Sequence, residues 1–363
     1  MNQKAIIRLE HLSTGYVGKH KTRVIASNVN ASLYSGQLTC LLGANGAGKS
    51  TLLRTLCALQ PALSGNTYIQ DKLLSEYTDK QLAKTISVVL TERFDLRNMS
   101  VIELTGMGRS PYTGFWGKLS KEDLEIVEEC LQLVGIESLK KRMVHTLSDG
   151  ERQKVMIAKA LAQKTPVIFL DEPTAFLDYP SKVEIMQLLH TLAHDYGKTI
   201  FLSTHDLELA LQIADKLWLM DKEQGLRIGI PEDLSLDGSL EKFFSKKGIF
   251  FDYQSGLFKV VPPNVFKRIC LSGEDAPYQM VKKALSRIGI FADAQVESTD
   301  SIVCEPSAYT YITSSGKKEV LSNIEALLGR IMDEAGVQTI RDRAVFMNQE
   351  QRQGVTGINF PAS

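Results

Sequence analysis

A chain of 363 residues, 44% hydrophobic and 23% charged, has the make-up of an ordinary globular protein with room for one large domain and one small one. Lys+Arg and Asp+Glu balance at 42 each, so net charge gives no reason to expect nucleic acid or a lipid surface as partner. The first residues, MNQKAIIRLEHL, lack the apolar core of a signal peptide, and no run of about 18 apolar residues is available to span a bilayer.

Residues 5–12 and 23–33 alternate apolar and polar positions, which predicts two strands of an antiparallel layer. Gln37–Gly43 is a short apolar run that enters a glycine-rich turn, and Lys49–Leu59 has helix-forming composition: strand, loop, helix. Helices are expected at 78–84, 100–108, Lys121–Val134 and from Ser148 to about Ala162. Pro166–Leu170 and Thr199–Ser203 read as strands buried on both faces, separated by a helix at 181–196 and followed by another at 206–214. Lys216–Met220 and Leu226–Gly229 close this part with a strand pair. The alternation predicts a mostly parallel α/β sheet with helices on both faces. Composition shifts near Val261–Asn264, and a small α+β domain is expected beyond it. Its elements are a strand at Lys267–Leu271, a helix at 277–288, strands near 294–297, 301–304 and 308–313, and a helix at 317–335. From about 339 the sequence is polar and aperiodic, as a loose tail would be. The five cysteines, Cys40, Cys57, Cys130, Cys270 and Cys304, are scattered and lack CxxC spacing; they read as core residues in a reducing compartment.

Gly43-Ala44-Asn45-Gly46-Ala47-Gly48-Lys49-Ser50 fits G-x-x-x-x-G-K-[ST] between a predicted strand and a predicted helix. Its glycines let successive backbone N–H groups turn inward around phosphate oxygens, and the helix adds its positive dipole end. Lys49 is expected to reach the β- and γ-phosphates of ATP, Ser50 to ligate Mg²⁺ and Thr51 to join the nucleotide-binding residues. Asp171 and Glu172 follow a buried strand, where ligands collect in open α/β sheets. Adjacent residues point to opposite sides, so Asp171 is expected to hold Mg²⁺ and Glu172 to deprotonate the attacking water.

The phosphate loop, Leu147-Ser148-Asp149-Gly150-Glu151, IFLDEPTAFLD at 168–178 and Thr204-His205-Asp206 occur in an order that resembles the nucleotide-binding subunits of ABC transporters, over roughly residues 5–255. The resemblance implies a P-loop cassette at 1–260, with a helical subdomain at about 92–162; the composition puts the small accessory domain at 261–338 and the tail at 339–363. It implies that Ser148 and Gly150 meet the γ-phosphate held by a second copy, in a head-to-tail homodimer. Ser148-x-x-Glu151 also has the form of a capping box. By the same resemblance Asp178 links the two sites, His205 binds γ-phosphate and positions water, and Tyr16 stacks on adenine.

Two positions depart from the family. Glu92 stands at or beside the place of a family glutamine, where it would ligate Mg²⁺, rise in pKa or pair with Arg93. Asp149 replaces a usual glycine, and is expected to turn away from phosphate and cap its helix.

Met107–Ser120 resembles the GRxPxTG-aromatic-G-x-LS segment of importers for iron-siderophore, haem and cobalamin cargo. Phe115 and Trp116 would offer a socket for a membrane subunit, or would pack the subdomain's own core. The importer reading implies membrane permease subunits, a separate substrate-binding protein and a peripheral place on the cytoplasmic face of the cell membrane. An exporter ATPase, a soluble ABC ATPase outside transport and a non-hydrolysing assembly module are the alternatives.

Overall fold

The computed structural model describes residues 4–18, 21–90, 98–114, 117–244, 249–253, 255–260 and 265–334. The chain divides into two compact units that part within residues 247–258, around a strand pair at Ile249–Asp252 and Leu257–Val260. Glu92, Arg93, Phe115, Trp116 and the expected tail at 339–363 lie outside the described residues.

The larger unit is built on a six-stranded sheet. Its strands run in the order Gly225–Gly229, Lys216–Asp221, Leu38–Leu42, Thr199–Thr204, Val167–Asp171 and Ile86–Val89. The last five are parallel, and only the edge strand Gly225–Gly229 is antiparallel. Every residue of Leu38–Leu42, Val167–Asp171 and Thr199–Thr204 is buried, which explains their continuous apolar runs. Phe169 meets Phe201 edge-on at 5.6 Å and Phe201 meets Trp218 at 5.0 Å, fixing the sheet's middle by aromatic contact. Because these strands are parallel, all their C-terminal ends emerge at one edge. The phosphate loop, Asp171-Glu172 and His205 are therefore delivered to the same place.

An antiparallel layer of Thr22–Tyr34, Ala5–Val17, Ser64–Ile69 and Lys72–Leu73 shares a hydrophobic core with this sheet through Ile7, Leu9, Leu52 and Phe169. Ser64–Ile69 and Lys72–Leu73 were not legible in the sequence, because Ser-Gly-Asn-Thr has the composition of a turn.

The helices Val101–Gly106, Lys121–Leu133 and Asp149–Ala162 pack together. Arg109, 5% exposed, donates to Asp123 at 2.8 Å and to the Ala162 carbonyl at 2.8 Å, which ties the turn after the first of these helices to the other two. The Asp123 carboxylate also accepts from the Ser120 backbone N–H, closing a capping box.

In the smaller unit a five-stranded sheet runs Ile290–Asp293, Lys267–Ser272, Ser301–Cys304, Tyr309–Ile312, Lys318–Leu321, parallel over the first three and antiparallel after. Helices Asp275–Arg287 and Ile324–Glu334 cover it, with Ile269, Leu271, Leu285, Tyr311 and Leu327 in the core. Two expectations are corrected. The strand placed near 294–297 is Ile290–Asp293, whose apolar residues pair in parallel with Lys267–Cys270. The helix placed at 317–335 starts only at Ile324, because Lys318–Leu321 pairs with Tyr309–Ile312 and Asn323 then accepts the Ala326 N–H as a helix cap.

The Arg109–Asp123 pair gives a stability prediction. The Ser120 N–H, the Arg109 guanidinium and the Ser120 hydroxyl pull the Asp123 pKa down to about 2. Its contribution is therefore complete above the unfolded value of about 3.9 and lost as pH falls from there through about 2. Arg109→Met leaves Asp123 without its buried cation, and denaturant unfolding at pH 7 is expected to show a loss of about 2–4 kcal/mol.

Candidate active site

The strand Leu38–Leu42 ends at Gly43, whose missing β-carbon leaves space for the Met220 carbonyl. Gly46 and Gly48 take positive φ values of 75° and 110°, and a β-carbon on Gly48 would fall on Ile25 Cγ2. Gly48 opens the helix Lys49–Leu56 with no side chain capping it. The first-turn N–H groups of that helix have no intrahelical partners and face the loop with the positive end of the dipole. Asn45 and Ala47 complete the turn, and the Ala47 N–H donates to the Ala44 carbonyl at 3.0 Å.

Lys49 is 4% exposed, yet it is held by acceptors rather than by packing alone. Its ammonium donates to the carbonyls of Gly43 at 2.8 Å and Ala44 at 3.4 Å, and reaches Nδ1 of His205 at 3.4 Å. Burial pushes its pKa down, against the opposing pull of Glu172 and Asp171. With Lys49 the donor, Nδ1 of His205 accepts and the ring proton sits on Nε2, 2.5 Å from Oε1 of Glu172. Lys49, His205 and Glu172 thus form one connected polar chain.

The two carboxylates separate as the alternation of a strand requires. Asp171 accepts from Ser50 Oγ at 3.1 Å and from Ser203 Oγ at 2.6 Å. Glu172 turns the other way at φ 48°, a left-handed value costing about 1 kcal/mol or more. Its N–H is fixed there by the Ser203 carbonyl at 3.1 Å and the Ser203 hydroxyl at 3.0 Å. Tyr16, 51% exposed, shares a hydrogen bond of 2.8 Å with Thr51.

Ser148, Gly150 and Asp178 make their hydrogen bonds and contacts away from this cluster. Ser148 caps its helix reciprocally with Glu151, at 2.8 and 3.2 Å. A β-carbon on Gly150 would lie 3.2 Å from Ser181 Oγ. Asp178 caps the helix Tyr179–His194 by accepting from the Ser181 N–H at 3.2 Å, which lowers its pKa. The cap of the helix Asp149–Ala162 is Ser148, not Asp149; Asp149 is the first helical residue and sits 3.8 Å from Arg152. Sequence reasoning missed Ser203, Thr174 and Lys182 and gave Asp206 no role. The signal was present in the run Ser203-Thr204-His205-Asp206, where polar residues crowd a buried strand end.

Residues 26–175 match the ABC transporter family model, and residues 266–332 match the iron ABC transporter C-terminal domain. An ABC transporter ATP-binding protein of Methanocaldococcus jannaschii is 38% identical over 255 residues, 70% of this chain and 87% of that one. The chain belongs to the ABC transporter ATP-binding family. The iron(3+)-hydroxamate import ATP-binding protein FhuC of Bacillus subtilis is 32% identical over 273 residues, 75% of this chain and 95% of the other. A dimeric ATP-binding cassette in a post-hydrolysis state with ADP and Pi superposes with a TM-score of 0.54 at 27% identity, over 62% of this chain and 98% of its own.

In an ABC ATPase this glycine-rich loop, with a buried cation, a carboxylate and an imidazole joined beside it, is the candidate nucleotide site. The geometry at Gly48 supplies its test. Gly48→Ala forces a β-carbon into a left-handed residue and onto Ile25, and ATP affinity measured by fluorescent-nucleotide titration is expected to fall by about tenfold or more.

Proposed function

We propose that this protein is the ATP-hydrolysing subunit of an importer for an iron-siderophore, haem or cobalamin-type cargo. The reading of hydrolysis is carried by the meeting of Lys49, Glu172 and His205 at one sheet edge. The importer reading rests on the similarity to an iron-hydroxamate import protein and on the match of residues 266–332 to an iron-transporter domain.

ATP enters with its phosphates on the N–H groups of Gly46, Gly48, Lys49, Ser50 and Thr51, and its adenine against Tyr16. Lys49 turns from the carbonyls of Gly43 and Ala44 to phosphate oxygens. The Ser50 hydroxyl and the Asp171 carboxylate are hard oxygen donors that already share a hydrogen bond, a fit for Mg²⁺. Among the described residues no three acidic, His or Cys side chains cluster as a metal cage; Ser50 and Asp171 would hold Mg²⁺ together with the nucleotide. Mg²⁺ bound there neutralises phosphate charge. Glu172 takes the proton of the attacking water, and His205 holds that carboxylate and the γ-phosphate in register.

The other half of the site comes from a second copy arranged head to tail. The partner's Ser148 and Gly150 close over the γ-phosphate, and Asp178 carries contact between the two sites. Glu92 stands as a further Mg²⁺ ligand in this reading.

A groove of about 760 Å³ receives the permease. It is lined by Ala58, Leu82, Gly108 and Thr113, and Leu59 and Met107 on its rim are 56% and 49% exposed. Among the described residues no helix is long and apolar enough to cross a membrane; the proposed coupling is to separate membrane subunits. The protein acts from the cytoplasmic face, and a substrate-binding protein outside hands over the cargo.

Phosphate release by the wild-type chain and by Glu172→Gln tests the hydrolytic reading. Wild-type turnover is expected to exceed the variant's by about 10²-fold or more; equal rates overturn it. Met107→Glu places a charge on the groove's rim, and is expected to abolish co-purification with the permease while ATP affinity stays within about twofold.

A further inference from the structure

Asp206 precedes the helix Leu207–Ile213 and stands at its cap position, where a carboxylate by default accepts a first-turn N–H. Here it does not. Its Oδ2 accepts from the Thr174 hydroxyl at 2.8 Å and its Oδ1 from the Lys182 ammonium at 3.0 Å. Its own N–H donates to Thr204 Oγ1 at 3.1 Å, and its carbonyl accepts from Ala210. Backbone and side chain are thus both fixed, one residue beyond His205.

The partners lie in telling places. Thr174 is 3% exposed and two residues beyond Glu172, in the turn that leaves the catalytic strand. Lys182 lies in the first turn of the helix Tyr179–His194, which Asp178 caps. A ring closes from Glu172 through Thr174 to Asp206 and His205, and back to Glu172 at 2.5 Å. A surface ion pair between Lys182 and Asp206 alone would be worth about 0–1 kcal/mol. The buried Thr174 hydroxyl changes the balance, because it has a directional bond that ties two loops together.

We propose that Asp206 is a positioning residue for hydrolysis: through Thr174 and Lys182 it sets the imidazole of His205 against the Glu172 carboxylate, and it makes that alignment follow the helix that begins after Asp178. The role rests on the reading of Glu172 and His205 given under the proposed function.

ATP turnover of the full chain tests it. Thr174→Val keeps the volume and removes the donor; kcat is expected to fall on the order of 10–100-fold, with KM for ATP within about twofold. Thr174→Ser restores the hydroxyl and most of the rate. Asp206→Ala has the same effect as Thr174→Val, and has no further effect when His205 is already alanine. Wild-type kcat in Asp206→Ala, equal losses in Thr174→Ser and Thr174→Val, or a full additional loss on the His205→Ala background overturns the proposal. Glu172→Gln separates the two levels. If it turns over ATP as fast as wild type, the reading of the site fails and this proposal fails with it; if it is inactive, the Asp206 and Thr174 results judge the positioning role alone.

Discussion

At Gly48 the backbone takes a φ of 110° with Ile25 packed where a side chain would be, and the helix that starts there has no side-chain cap. Only glycine satisfies both conditions, and the consequence is a helix end whose N–H groups are left for a ligand. The same turn exposes the carbonyls of Gly43 and Ala44, which hold the Lys49 ammonium in a buried position. Burying a cation is expensive. Burial pushes the Lys49 pKa down, while Glu172 and Asp171 pull it the other way.

The parallel sheet turns this one loop into a site. Strands Leu38–Leu42, Val167–Asp171 and Thr199–Thr204 are adjacent and run the same way, so three segments far apart in sequence end together. Ser203 links two of them, giving its hydroxyl proton to Asp171 and accepting the Glu172 N–H. The strained backbone of Glu172 is held by those bonds, which separates its carboxylate from that of Asp171. Division of labour between neighbouring acids follows from the pleat and from one serine. The helices bearing Ser148 and Asp178 begin with satisfied caps, which fixes their direction: the Ser148 hydroxyl accepts the Glu151 N–H and the Asp178 carboxylate accepts the Ser181 N–H.

Much of this was legible because the chemistry is local. The phosphate loop, the acid pair and His205 each sit within a few residues of a buried strand, and apolar runs such as Val167–Leu170 reveal the strand. The parts that were hidden depend on contacts between distant segments. Asp206 reads as one more helix cap until Thr174 and Lys182 are seen to take its carboxylate. The capping box read from Ser148-x-x-Glu151 forms, whereas Asp149, expected to cap that helix, is its first helical residue and sits beside Arg152. Lys318–Leu321 carries helix-forming residues and is a strand, since the edge of the sheet beside Tyr309–Ile312 needed a partner.

In the proposed head-to-tail dimer, Ser148, whose hydrogen bonds lie within its own capping box, completes the phosphate-loop site of the second copy. Sedimentation velocity of the Glu172→Gln protein measures this most directly. ATP is expected to convert the monomer to a dimer, and a further Ser148→Arg change to abolish the dimer while each monomer still binds ATP. An ATP-saturated protein that stays monomeric, or a Ser148→Arg variant that dimerises equally well, would contradict the account.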